Sequence, residues 1–279
     1  MNFYTNVIQR GNSLLVRGVE DGQRVSKRVN YQPTLFNKVT EDTGYKTLDG
    51  QHVLPKHFHS IKEAKAWVEQ RENQDIVFGN TQYPYCYISD EYPNDVPWDK
   101  DQILIVTIDI EVECENGFPN PQDAAEPLLS ITMKNHQNKK IVVWGLHEFQ
   151  NNRDDVDYRL CRDEGDLLIK FLDEWRMIYP DIITGWNTEF FDIPYICNRI
   201  NNLFGEEFMH KLSPWNNVFA REVYQMGRKH QVYTIQGVSA LDFYDLYRKF
   251  TYTNQERYTL DHIAFVELGE RKDGNPFDT

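Results

Sequence analysis

The run Ile103-Leu104-Ile105-Val106-Thr107-Ile108 is followed at once by Asp109-Ile110-Glu111. A nearly continuous apolar run of this length suits a central strand covered on both faces of a sheet. Side chains two apart on a strand leave the same face, so Asp109 and Glu111 share one surface at the end of that strand. Like charges placed so close repel, and a divalent cation is the usual neutraliser. An oxygen-only donor set favours Mg2+ over zinc. The motif is short, and a solvated strand end has the same sequence; its weight comes from following a buried strand directly, where ionised groups need partners or a metal.

Around this strand the pattern alternates. Strands are expected at Leu128 to Met133 and Lys140 to Trp144. A helix is expected from Glu164 to Tyr179, with Leu167, Leu168, Phe171, Leu172 and Trp175 on one side, Asp163 as N-cap and Pro180 as stop. A short strand Ile182-Ile183-Thr184, a turn at Gly185 and a second helix from about Ile193 to Leu203, ended by Gly205, follow. Strands succeeded by alternating helix and strand imply a mixed sheet with helices packed on it. Upstream, the polar, proline-bearing stretch Ser89 to Asp99 marks a boundary. The region before it has strand-like runs at Asn6 to Gln9, Ser13 to Arg17 and Arg24 to Tyr31, and an amphipathic helix from Ser60 to Arg71. It reads as a small α+β domain.

A second polar cluster, Thr184-Gly185-Trp186-Asn187-Thr188-Glu189-Phe190-Phe191-Asp192, lies where a strand turns into a helix. Asp192, with Pro194 in the first turn, is placed as the N-cap, and Asn187 suits the turn. Arg221 to Gln236 reads as a hairpin whose tip, Gly227-Arg228-Lys229-His230, is locally basic. The whole chain is acidic, with 30 Lys and Arg against 43 Asp and Glu and a net charge of −13. That counts against a protein held to nucleic acid or an anionic membrane by its overall charge, and leaves a local basic patch as the route to such contact. Cys86, Cys114, Cys161 and Cys197 stand far apart, which indicates neither a metal-binding pair nor a disulfide framework. A reducing cytoplasm is the default, and no apolar run is long enough to span a membrane.

Taken together, these residues resemble the proofreading 3′-to-5′ exonuclease domain of family B DNA polymerases. Asp109-Ile110-Glu111 is similar to the family's first exonuclease motif, and Asn187 through Asp192 to its second. The likeness covers nearly the whole chain and points to the polymerases of T-even-type bacteriophages. It includes Asn2-Phe3-Tyr4, Tyr31-Gln32-Pro33-Thr34-Leu35-Phe36, Gly117-Phe118-Pro119, Asp192-Ile193-Pro194-Tyr195, Asn198-Arg199-Ile200, Leu212-Ser213-Pro214, Leu241-Asp242 and Tyr258-Thr259-Leu260-Asp261.

The resemblance implies an α/β (α+β) architecture: a ribonuclease-H-like exonuclease domain over 99–279, with a mixed sheet and flanking helices, preceded by a small α+β N-terminal domain over 1–98. It implies two Mg2+ ions, with Mn2+ as substitute, held by Asp109, Glu111 and Asp192 for hydrolysis of a phosphodiester at a single-stranded 3′ end. Asn187 would contact the terminal nucleotide, and Phe118 and Phe191 would stack on or wedge frayed bases. The hairpin, with Arg228 and Lys229 at its tip, would help separate primer from template. The implied partners are primer-template DNA, the palm, fingers and thumb of the polymerase, and a sliding clamp reached through those parts; no membrane is implied. The implied location is the cytoplasm of an infected bacterium.

The family also uses a fourth carboxylate, an Asp four residues after a Tyr, and no Tyr-x-x-x-Asp follows position 192. Tyr45 to Asp49 precedes the first motif, and His262 to Glu267 only loosely resembles a histidine variant of the last one. The expectation is an exonuclease domain lacking its C-terminal end, with 272–279 as the loop toward the missing ligand. The polymerase palm signatures are absent, so nucleotide insertion is not expected from this chain alone. The competing expectation is a catalytically silent module that binds single-stranded nucleic acid or scaffolds a split polymerase.

Overall fold

The computed structural model describes residues 2–70, 76–114, 117–225 and 227–271. The chain divides into two compact units, Met1–Ile103 and Leu104–Thr279.

In the first unit, β1 (Phe3–Arg10), β2 (Ser13–Glu20) and β3 (Gln23–Val29) form an antiparallel meander. β2 is buried along nearly its whole length. A second sheet has β4 (Thr34–Lys38) between β5 (Val53–His57) and β6 (Val77–Phe78). Helix α1 (Ile61–Glu69) starts at Ser60, whose hydroxyl accepts the Glu63 N–H, and buries Ile61 and Ala64. Helix α2 (Tyr83–Glu91) adds Tyr83 and Tyr87 to a core that includes Leu14, Val16, Leu35 and Phe58.

The second unit is built on a six-stranded mixed sheet: β7 (Ile105–Val112), β8 (Leu128–Asn135), β9 (Ile141–Gly145), β10 (Val156–Leu160), β11 (Ile182–Thr184) and, near the end of the chain, β14 (Ser239–Ala240). Their order is β10-β9-β8-β7-β11-β14. The β7–β8 and β8–β9 pairs are antiparallel and the others parallel. The mixed sheet with helices packed on it is therefore as expected, and β7 is an interior strand. The strand itself begins two residues later than the apolar run and continues through the two acids. Its burial also differs from the expectation of a strand covered on both faces. Val106, Ile108, Ile110 and Val112 are buried on one face, while Ile105 and Thr107 are half-buried and Asp109 and Glu111 exposed on the other. A strand with one open face can carry charge at alternate positions at no desolvation cost.

The buried face meets helix α3 (Glu164–Ile178), capped by Asp163 and contributing Leu167, Leu168, Phe171, Leu172 and Trp175. It also meets helix α4 (Asp192–Phe204), which contributes Ile193, Ile196, Cys197 and Ile200. A short helix α5 (Glu206–His210) leads to the expected hairpin, β12 (Val218–Gln225) paired antiparallel with β13 (Arg228–Ile235). After β14, helices α6 (Phe243–Phe250) and α7 (Leu260–Leu268) complete the described chain. None of the described helices is long and apolar enough to cross a membrane.

Candidate active site

The site forms where neighbouring strands end unevenly. β11 pairs with β7 only as far as Thr184 opposite Thr107, so the β11-side edge of β7 beyond that point has no strand partner. On the other side, Asp109 and Glu111 lie opposite Thr132 and Ser130 of β8, and the register slips between Glu111 and Val112. Such irregularities bend a strand and re-aim its side chains, often beside functional sites.

The chain leaving β11 fills the open edge. Gly185 is required there: a Cβ at this position would run into Thr188 Oγ1 and stand 2.7 Å from the Ile108 carbonyl oxygen. Asn187 follows in the left-handed region at φ 63°, which Asn tolerates better than most residues. Its carbonyl accepts the N–H groups of Phe190 and Phe191, and the Thr188 carbonyl accepts that of Ile193, winding the turn into α4.

Asp192 is not the N-cap. Phe191 occupies that position without a side-chain cap, and Asp192 is the first helical residue. Its carboxylate instead accepts the backbone N–H of Ile110 at 3.1 Å, closing the edge that β11 leaves open. Asp192 is 4 % exposed. Burial first, and the negative charge of Asp109 next, push its carboxyl up to about 7. The first-motif and second-motif acids are thus close enough for one charge to act on the other. A carboxyl group in this state gains from a hard cation beside it, and the available donors are carboxylate oxygens, the chemistry Mg2+ and Mn2+ take. Among the described residues, however, no group of three or more His, Cys, Asp or Glu side chains is gathered so as to hold a metal ion. Glu111 stands exposed on the face it shares with Asp109.

The two expected stacking residues meet each other. The Phe118 and Phe191 rings lie 5.3 Å apart, tilted by 45°. Phe118 is 87 % exposed, whereas Phe191 packs against the core. The segment after Phe118 is tied to α4. Asn198 donates to the Pro121 carbonyl, Asn202 to that of Asp123, and Arg199 to those of Ala124 and Ala125. Arg199 is itself paired with Glu164 through two 2.6 Å contacts.

The hairpin joins the same turn. Arg221 reaches Glu189 at 2.5 Å, the His230 ring meets Phe190 edge-on at 5.3 Å, and the Tyr233 hydroxyl donates to Asn198 Oδ1. Burial raises the Glu189 carboxyl, and the Arg221 charge opposes that rise. The expected turn at 227–230 is shorter than the sequence suggests: Arg228, Lys229 and His230 open β13, and Lys229, opposite Tyr224, is paired with Glu222 at 2.5 Å, which offsets its charge; the Arg228 side chain lies outside the described residues. Glu267 accepts a hydrogen bond from the Tyr247 hydroxyl, linking α7 to α6. The segment 272–279 lies outside the described residues.

One acid that belongs to the resemblance but has no role assigned by it sits beneath the turn. Asp242 is 6 % exposed, and its carboxylate accepts the N–H groups of Asn187, Glu189 and Tyr244. It lies 55 positions after Asn187, and its local signal is that it precedes a helix.

A sequence model of the DNA polymerase family B exonuclease domain matches residues 60–263. The chain is 31 % identical to a DNA-directed DNA polymerase of Escherichia phage RB69 over 97 % of its length, and 30 % identical to one of Enterobacteria phage T4 over 99 %. It is 27 % identical, over 61 % of its length, to a DNA polymerase delta catalytic subunit of Candida albicans. The chain spans 33 % of the length of each of the two phage relatives.

Proposed function

We propose a function from one premise: the chain belongs to family B of the DNA polymerases, by its exonuclease domain. Within that family we assign it the proofreading 3′-to-5′ exonuclease of a phage replicative polymerase, with residues 99–279 as most of the exonuclease domain and 1–98 as the N-terminal domain. The carrying observation is the juxtaposition of the two motifs, with Asp192 bound to the Ile110 N–H between Asp109 and Glu111 and its carboxyl raised first by burial and then by the Asp109 charge.

Asp109, Glu111 and Asp192 would hold the divalent ions, Mg2+ or Mn2+. Bound there, two such ions supply an activated water and stabilisation of the leaving 3′ oxygen. The chain's own residues do the rest. Asn187, held at the start of the turn, contacts the terminal nucleotide. The exposed Phe118 ring, backed by Phe191, offers a face on which a frayed base stacks, an interaction worth about 1–3 kcal/mol. The hairpin, anchored to the turn through Arg221 and Glu189, holds primer and template apart. The partners are the single-stranded 3′ end, primer-template DNA, the palm, fingers and thumb, and the sliding clamp they engage. The setting is the host cytoplasm.

A second reading has its own support: the described residues gather no three-ligand group. It makes the chain a silent single-strand-binding half that needs a further carboxylate from elsewhere. The experiment is degradation of a 5′-labelled single-stranded oligonucleotide with Mg2+ or Mn2+, wild type against Asp109→Ala/Glu111→Ala. A metal-dependent ladder shortening from the 3′ end and lost in the double variant supports the exonuclease. Retained binding without cleavage supports the silent module.

A further inference from the structure

We infer that Asp242 is a positioning residue for the site: by holding the turn from Asn187 to Glu189, it fixes the carboxylate of Asp192 against β7. For catalysis this rests on the exonuclease reading above, but its structural content stands apart from it.

Asp242 is brought to the turn by the edge of the sheet. The Leu241 N–H donates to the Ile183 carbonyl, the Thr184 hydroxyl to the Leu241 carbonyl, and the Phe243 N–H to the Gly185 carbonyl. The segment 241–243 is therefore zipped along 183–185, and the Asp242 side chain meets the next residues of the turn. Oδ1 accepts the Asn187 N–H at 3.0 Å and the Tyr244 N–H at 2.9 Å, while Oδ2 accepts the Glu189 N–H at 2.9 Å. Capping α6 uses only the Tyr244 bond. The other two reach across more than 50 residues and have no part in that cap.

From there the connection to Asp192 is a relay of peptide groups. The carbonyl of Asn187 holds the N–H of Phe191, that of Thr188 holds the N–H of Ile193, and Asp192 lies between those two residues. Its carboxylate ends on the Ile110 N–H. The rings of Phe243, Tyr244 and Tyr247 stand around Trp186, so the start of α6 is packed against the turn it holds.

An ionised carboxylate accepts at both oxygens; an amide of the same shape accepts at one and presents an NH2 at the other. Asn caps helices about as well as Asp. Asp242→Asn therefore keeps the α6 cap and turns a donor toward one N–H of the turn, whereas a residue needed only for capping would tolerate it.

The test is hydrogen exchange of the Ile110 amide in the metal-free chain, for wild type, Asp242→Asn, Asp242→Ala and Asp192→Ala. Asp192→Ala, which removes the acceptor, sets the upper limit of exchange. Asp242→Asn is expected to speed Ile110 exchange at least tenfold while the Leu246 amide, which bonds to the Asp242 carbonyl, keeps its protection. Wild-type protection at Ile110 in both Asp242 variants overturns the inference. Exonuclease rates on a single-stranded oligonucleotide at saturating Mg2+ add the second readout: kcat falls in Asp242→Asn with KM unchanged. A wild-type chain without cleavage whose Ile110 amide still responds to Asp242→Asn sinks the functional reading and leaves the positioning role standing. A chain that cleaves equally well with Asn at 242 overturns that role in catalysis.

Discussion

Replacing Asp192 by Asn should stabilise the metal-free protein at alkaline pH. The carboxyl of Asp192 stands at about 7 in the fold against an ordinary 3.8. The folded chain thus retains a proton that the unfolded chain has lost between those two values. Stability is fully present below the lower value, falls as pH rises through the window, and levels off above about 7. The difference of roughly 3 pH units corresponds to a penalty on the order of 4 kcal/mol at pH 8. Asn keeps an acceptor for the Ile110 N–H and carries no charge. It weakens the bond from the residue's own N–H, a loss of about 1 kcal/mol. The net expectation is a variant more stable by about 3 kcal/mol at pH 8, with the gap shrinking to less than half by pH 5. The assay is urea unfolding in a chelator at several pH values, following the transition that exposes Trp144 and Trp175, both buried in the core. Comparing variant with wild type at each pH cancels titrating groups that do not interact with Asp192; Asp242, whose charge also raises Asp192, is coupled to it and contributes to the measured difference. A variant that is less stable at pH 8, or a gap independent of pH, refutes the argument that an uncompensated charge is buried at this position.

Three further outcomes follow from the packing. Arg199→Ala should cost about 3 kcal/mol in urea melts, because it leaves the Glu164 carboxylate, 12 % exposed, without its guanidinium and takes a donor from the Ala124 and Ala125 carbonyls of the Phe118 loop, the first of which keeps Asn202. Replacement of both partners by apolar residues removes the unpaired charge but should still cost stability, because the Ala125 carbonyl loses its donor and the Leu128 N–H loses the Glu164 carboxylate as acceptor. Gly185→Ala should destabilise by more than about 1 kcal/mol, since the Ile108 carbonyl cannot move out of the way of the new methyl without disturbing β7; unchanged melting would show that the turn is loose. Phe118→Ala should leave stability within about 0.5 kcal/mol of wild type, the ring being exposed, yet weaken single-stranded oligonucleotide binding roughly tenfold in fluorescence anisotropy. Equal affinity would remove Phe118 from the binding surface.

The elements visible in the sequence are those whose pattern is local and long. α3 shows its five-residue apolar stripe, its Asp163 cap and its proline stop, and the structure reproduces it to within a residue. β8, β9, α4 and the hairpin are likewise recognisable from period and punctuation. β10 carries the alternation of a half-buried edge strand in Val-Asp-Tyr-Arg-Leu, although it is missing from the expected strands, whereas β14, Ser-Ala, is two residues long and too short to show any period. The same division runs through the site. Asp109 and Glu111 are legible because a strand places alternate residues on one face. Asp192 is legible as an important acid but not in its role: capping propensity is a local rule, and here the unpaired N–H of Ile110 claims the carboxylate instead. The long-range contacts of Asp242, Arg221 and Arg199 are made with partners 32 to 75 residues away, which no local pattern encodes.

The account turns on whether Asp109, Glu111 and Asp192 take up divalent cations together. Mn2+ titration followed by electron paramagnetic resonance, with wild type beside Asp109→Asn and Asp192→Asn at pH 8, tests this most directly. The account predicts saturable uptake by the wild type, displaced by Mg2+, and at least tenfold weaker in each single variant. Uptake that is indistinguishable among the three proteins would contradict it.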